Sequence, residues 1–337
     1  NYMHVFFTWV GILFCRKKIY RQCTPSGLGV LCCHIFSVSS IFIPWVHLQS
    51  HLEVKNKKIL IIGCGKLGQK VGLFAKDMPL DLTGLKRKKI TSPNINILEQ
   101  DIFDESFFDQ VKKISPHFII YCLSADSSSE KSYQKNYVEG LRQVIKSINC
   151  ITNFQHLFFI SSTSVYGENS EQFIDEFSET DPENYRGIIL LEAEKLMKSV
   201  NFNYTILRLS GIYGTGRNYM INLSQDPANW PEFDRCTNRI NEEDAASFIL
   251  FLIKQCLSNR VPEKLYLLTD NEPVKLYDLL NWIRQHLNLH KSNKPNSRQV
   301  FGKRLRSSLI PKLKFKYKYP SYENGYTELI QGEKNSI

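Results

Sequence analysis

The residues best placed to do chemistry are Gly63-Cys64-Gly65-Lys66-Leu67-Gly68, which follow the apolar run Lys58 to Ile62. Glycines at this spacing allow a tight turn, a close approach of backbone to a pyrophosphate, and close packing of the next helix on the strand. A Cβ would intrude at each of these places. A helix starting here presents free N–H groups and a partial positive charge to phosphates. The loop therefore reads as a cradle for a nicotinamide dinucleotide, with Gly63, Gly65, Lys66, Leu67 and Gly68 as contacts. The plainer reading is a glycine turn that only packs.

Which dinucleotide is expected follows from the end of the second apolar run, Thr83-Gly84-Leu85-Lys86-Arg87-Lys88-Lys89. A carboxylate about 20 residues past the glycines would bind an adenosine ribose hydroxyl, and this stretch has none. Arg87, with Lys86, suits a 2′-phosphate instead, because a guanidinium matches phosphate geometry. NADP(H) is accordingly preferred over NAD(H), although a basic run can also be a solvated surface. Asp101 is placed either to accept from the adenine amino group or to cap a helix. Leu123 and Ser124, at the end of the fourth run, complete the expected cofactor contacts.

These residues need elements to hold them. From Asn56 onward, apolar runs at Lys58–Ile62, Leu80–Leu85, Ile95–Leu98, Phe118–Leu123, Leu157–Ile160 and Tyr204–Leu209 alternate with helical patterns. The helical patterns are Leu67–Lys76, Phe107–Ile114, Tyr133–Ile148 and Ile188–Val200. Such alternation predicts an α/β Rossmann-type, doubly wound parallel sheet, which binds its ligand at the carboxyl ends of the strands. The dinucleotide-binding domain is expected over 56–210. A smaller C-terminal substrate lobe is expected over 211–330, partly interleaved with the first domain.

The glycine loop resembles that of the extended short-chain dehydrogenases/reductases, as do Phe159-Ile160-Ser161-Ser162-Thr163-Ser164-Val165-Tyr166-Gly167 and Leu207-Arg208-Leu209-Ser210-Gly211-Ile212-Tyr213-Gly214-Thr215-Gly216-Arg217. Three further segments are similar to an atypical bacterial branch of NAD(P)-dependent oxidoreductases and nucleoside-diphosphate-sugar epimerases. They are Tyr137 to Arg142, Thr237-Asn238-Arg239-Ile240-Asn241, and Tyr319 to Tyr326. The resemblance spans Lys57 to Leu329 and implies a small-molecule substrate, one that can carry a diphosphate. It places Ser162 as the hydroxyl that orients a reacting oxygen and Tyr185 as the proton donor. Arg217 and Arg239 fall where the family contacts substrate.

The family's tyrosine works with a lysine four residues later, whose charge lowers the phenol pKa. Here position 189 is Ile, and no lysine follows Tyr185 before Lys195. Without a cation a tyrosine titrates near pH 10 and is a poor base at neutrality. Tyr185 is then either a general acid or simply a helix-start residue. Glu192 and Glu194 offer alternative acid–base groups, but on an amphipathic helix they read first as solvated positions. Arg239 has an equally good structural alternative, an ion pair with Glu242-Glu243-Asp244. Two functions follow: an NAD(P)-dependent oxidoreductase or epimerase, or an NADP(H)-binding sensor or scaffold without chemistry.

The chain has 337 residues and a formal charge of +10, a field that favours anionic partners. Its nine cysteines form no C-x-x-C pair, and its eight histidines show no metal-ligand spacing. Free thiols in a reducing, cytoplasmic setting and no metal site are expected. Residues 1–55 stand apart, with apolar stretches at His4–Cys15 and Leu28–Leu48 around Arg16-Lys17-Lys18. Starting at Asn1, they read as a disordered or spurious leader, a membrane anchor or a targeting segment. Ten Lys or Arg lie between Lys291 and Lys318. Alternation from Lys312 to Tyr319 predicts an edge strand with its lysines in water. Nucleic-acid binding is the weaker reading of that tail, because the family resemblance accounts for the chain without it.

Overall fold

Ile59, Leu60, Ile61 and Ile62 are all fully buried, as a strand covered by helices on both faces requires. They form an inner strand of the sheet in a computed structural model that describes residues 56–167, 169–294 and 302–334. The expected leader over 1–55 lies outside the described residues. In chain order the elements are β1 (Lys57–Ile62), α1 (Lys66–Phe74), β2 (Leu80–Lys86), β3 (Asn96–Glu99), α2 (Phe107–Ile114), β4 (Phe118–Tyr121), α3 (Gly140–Ile148), β5 (His156–Ser162), β6 (Asn169–Ile174), α4 (Tyr185–Lys198) and β7 (Tyr204–Leu209). There follow β8 (Gly211–Tyr213), α5 (Tyr219–Gln225), β9 (Cys236–Thr237), β10 (Arg239–Asn241), α6 (Glu242–Leu257), β11 (Leu265–Leu268), β12 (Val274–Lys275), α7 (Leu276–His286), β13 (Gly302–Leu305) and α8 (Tyr322–Lys334).

Seven parallel strands form the main sheet in the order β11-β7-β5-β4-β1-β2-β3. Side chains alternate across it. Ile59 and Ile61 pack with Leu67 and Val71 of α1 and Phe248 and Leu252 of α6, whereas Leu60 and Ile62 pack with Val111, Leu141, Val144, Ile189 and Ala193 on the opposite face. Each fully buried Leu or Ile contributes about 1.5–3 kcal/mol. The strand order reverses between β1 and β4, which opens a crevice at their carboxyl ends.

The Rossmann-type fold expected from the alternation is the one observed, with four local departures. Leu265–Leu268 is a seventh strand, parallel to β7, which was not among the six apolar runs. Four residues without clear periodicity are enough when the neighbouring strand supplies the ladder. Helix α4 starts at Tyr185 rather than Ile188, because the Asn184 side chain caps it by accepting from the Gly187 N–H at 3.1 Å. Glu194 is not solvated but fully buried, where it holds Arg208.

The fourth departure is the basic tail. Its alternation survives, with Phe315 and Tyr317 on the core and Lys314, Lys316 and Lys318 exposed, but the segment is no strand. Residues Ile310–Leu313 form a 3-10 turn, and the N–H groups of Lys318 and Tyr319 donate to the Asp244 carboxylate at 2.7 and 2.9 Å.

Outside the main sheet the chain adds small pairs, β8 with β10, β9 with β12, and β6 with β13. Helices α5, α7 and α8 pack around Tyr213, Ile221, Leu279, Ile283, Tyr326 and Ile330, and Tyr213 stacks on Tyr326 at 4.6 Å. Among the described residues, no helix is long and apolar enough to cross a membrane.

Candidate functional site

The parallel register sets Ile62 level with Leu85 and Tyr121, so the loops leaving β1, β2 and β4 meet at one edge of the sheet. Gly63 turns the chain with φ +81°, and a Cβ there would lie 2.5 Å from the Leu123 Cα. Gly65 begins α1. Among the described residues, no side chain caps this helix and no carboxylate sits in its first turn. Its first N–H groups and its positive dipole end are therefore available to an anion. The loop fits a pyrophosphate on these grounds.

The other loop residues divide by role. Leu67 and Gly68 are buried and seat the helix on β1, and an added Cβ at Gly68 would come within 2.9 Å of the Ile61 side chain. Lys66 reaches across to the loop after β8 and donates to the Gly216 carbonyl at 2.6 Å.

A cleft beside the glycine loop brings together Gly63, Gly65, Lys86, Arg87, Asp101, Leu123 and Ser124. It also holds residues that sequence reasoning missed: Gln100, Phe103, Asp126, Lys135 and Asn136. Arg87 grips Asp126 with both terminal nitrogens, one of these bonds being Nη1 to Oδ2 at 2.9 Å. The hydrogen bond from Arg87 holds the Asp126 carboxyl below its ordinary range, and Asp126 in turn raises the Arg87 guanidinium. The one clue to Asp126 was its place just past β4, at the carboxyl edge. Asp101 does not cap α2, whose N-cap is Ser106; its Oδ1 accepts from the Phe103 N–H at 3.0 Å within a local turn.

Ser162 ends β5, and its hydroxyl accepts from the Ser164 N–H at 3.2 Å. The first turn of α4 is pressed against the turn that follows. A Cβ on Gly187 would lie 2.1 Å from the Ser164 carbonyl oxygen, so only glycine fits. This packing brings the Ser162 and Tyr185 segments to the same rim. The Tyr185 hydroxyl donates to the Ser128 carbonyl, in the loop beyond β4, and accepts from Arg186 Nε at 3.2 Å. Ile189, at the position of the family lysine, is 4% exposed and belongs to the core.

Arg217 and Arg239 are separated in role. Arg217 is the one that pairs with the acidic cluster, through Nε to Glu242 at 3.2 Å. Lys70 reaches Glu242 and Glu243 at 3.8 and 3.3 Å, and Lys318 reaches Glu243 at 3.0 Å. Arg239, buried at 4% exposure, takes no part in that cluster. One terminal nitrogen donates to Thr237 Oγ1 at 3.2 Å, and its Nε has no partner among the described residues. Burial lowers its pKa.

A family model described as the RmlD substrate binding domain matches residues 57–314. No curated protein matches the chain. Among solved structures, a candidate NAD-dependent epimerase/dehydratase from Methylobacillus flagellatus is 35% identical, over 83% of this chain and 99% of its own, with a TM-score of 0.73. UDP-glucose 4-epimerase from Thermotoga maritima, solved with UDP-glucose, is 16% identical over 83% of this chain and 99% of its own, with a TM-score of 0.67. Bordetella bronchiseptica WbmG, solved with NAD, is 14% identical over 84% of this chain and 97% of its own, with a TM-score of 0.66. The last two are similar in fold alone.

Proposed function

This chain belongs to the RmlD substrate binding domain family, among the NAD-dependent epimerases and dehydratases of the extended short-chain dehydrogenase type, and we propose that it is an NADP(H)-dependent oxidoreductase or epimerase. Its substrate is a sugar nucleotide or a small carbonyl or hydroxyl compound. The observation that carries this reading is the glycine cradle at the uncapped start of α1, opening on a cleft that also holds Arg87. Nucleotide-linked sugars in the names of structural neighbours support the substrate class.

The α1 amides and the Gly63 turn would hold the pyrophosphate, with Arg87 and Lys86 at the adenosine end. A bound nicotinamide supplies the hydride donor or acceptor. The chain's part is to fix the reacting carbon and move a proton. Ser162 orients the substrate oxygen, and the Tyr185 hydroxyl donates or accepts its proton. Arg186 is the cation beside that phenol, in place of the lysine that Ile189 displaces. The lobe that faces the substrate comes mostly from the chain after Gly211, which is partly interleaved with the dinucleotide-binding domain through β11 and α6, with Arg217 at the lobe's edge, and we place the protein in the cytoplasm.

A second reading, a dinucleotide-binding sensor or scaffold, is favoured by Ile189 alone, since its burial removes the family's cation from α4. NADPH offered with a panel of sugar nucleotides and carbonyl compounds, followed by absorbance, separates the two. Turnover lost by about 100-fold or more in Ser162→Ala supports the enzyme. Tight NADPH binding with no turnover across the panel supports the sensor.

A further inference from the structure

In the sheet order β4-β1-β2, the glycine loop leaves the middle strand while Arg87 and Asp126 leave the strands on either side. Their two-pronged contact therefore bridges the loops that flank the phosphate cradle, and both residues line the cleft. An Arg87 engaged this way has its planar fork turned toward a carboxylate, and a phosphate asks for the same donors.

We infer that Asp126 is a specificity-determining residue: an internal competitor for Arg87 that stands in for the 2′-phosphate of NADP and must release the guanidinium when that phosphate binds. This rests on the reading of Arg87 as the phosphate contact. NAD, with a hydroxyl at that position, leaves the bridge closed. Asp126 thus narrows the preference for NADP without removing it.

Two further observations fit an exchange of partners. Asp126 keeps company after release, because Asn136 Nδ2 lies 3.4 Å from Oδ2, the Lys135 ammonium acts on the same carboxylate, and its own N–H is held by Ser132 Oγ at 2.9 Å. The pair is also half-exposed, with side chains 56% and 42% accessible, so it opens at little cost. An exposed ion pair is worth at most about 1 kcal/mol, which corresponds to about fivefold in binding.

The test is fluorescence titration of the full chain with NADPH and NADH, comparing wild type, Asp126→Asn, Asp126→Ala, Arg87→Ala and the Arg87→Ala/Asp126→Ala double variant. Removing the carboxylate is expected to tighten NADPH by about three- to fivefold and to leave NADH within about twofold. In the Arg87→Ala background the Asp126 substitution should no longer change the NADPH/NADH ratio. Unchanged or weaker NADPH binding in both Asp126 variants overturns the inference, as does equal tightening of both cofactors. If Arg87→Ala leaves the ratio at its wild-type value, the reading of Arg87 itself falls. If Arg87→Ala loses NADPH selectively while the Asp126 variants change nothing, only the competition is refuted.

Discussion

Under the proposed function, cofactor choice turns on Arg87. A charge-assisted hydrogen bond contributes about 1.5–3 kcal/mol, so Arg87→Ala should weaken NADPH about tenfold or more while NADH changes little. Equal losses measured by calorimetry would remove the 2′-phosphate assignment. At the other end of the site, Tyr185→Phe should cut turnover by about 100-fold or more, because it removes the hydroxyl proposed to move the proton. Unchanged turnover in that variant would make Tyr185 a helix-start residue only. Arg87 could be picked out from its offset past the glycines. Asp126 could not, because it lies 39 residues further along and meets Arg87 only through the parallel register.

At the scale of elements, α4 and β7 are joined by a buried pair. Arg208 donates to Glu194 through Nε at 2.9 Å and Nη2 at 2.6 Å, and Ser161 Oγ donates to the same carboxylate at 2.7 Å. With side chains 3% and 0% exposed, neither charge has water to fall back on. Arg208→Met alone should destabilise by about 3–5 kcal/mol, since it strands the Glu194 charge. Arg208→Met with Glu194→Leu should recover most of that in urea denaturation. A double variant no better than the single one would show that packing, not the stranded charge, sets the cost. Helical periodicity made Glu194 look solvated, because its partner stands on a strand rather than on the same helix. The tail from Lys312 to Tyr319 misled in the opposite way: the period of two was real, but Asp244 took the N–H groups that an edge strand would have shown to a neighbour.

For the whole molecule, pH acts through His156 at the start of β5. It is 2% exposed, shares a hydrogen bond of 2.9 Å with Thr205 Oγ1, and has its pKa lowered by burial from 6.5 to about 4. The unfolded chain binds this proton first as pH falls. Stability from the neutral histidine is therefore complete above about pH 6.5 and declines between 6.5 and 4. Melting temperatures of His156→Gln should fall less steeply than wild type between pH 7 and 5. Parallel curves would mean that His156 binds its proton equally well in the folded and unfolded chain. The seven strands and their helices leave such a histidine little choice, since it sits where β4 and β7 close over β5.

Local signals in the chain determined the alternating elements, the glycine turn that no Cβ could occupy, and the absence of the family's lysine, because backbone sterics and side-chain periodicity act within a few residues. Which side chains face one another was decided only by the tertiary structure. Arg87 met Asp126, Arg217 rather than Arg239 met Glu242, and Leu265–Leu268 found a place beside β7. Pairing of this kind depends on strand order and register, which bring distant segments within hydrogen-bonding reach and which no local window of sequence contains.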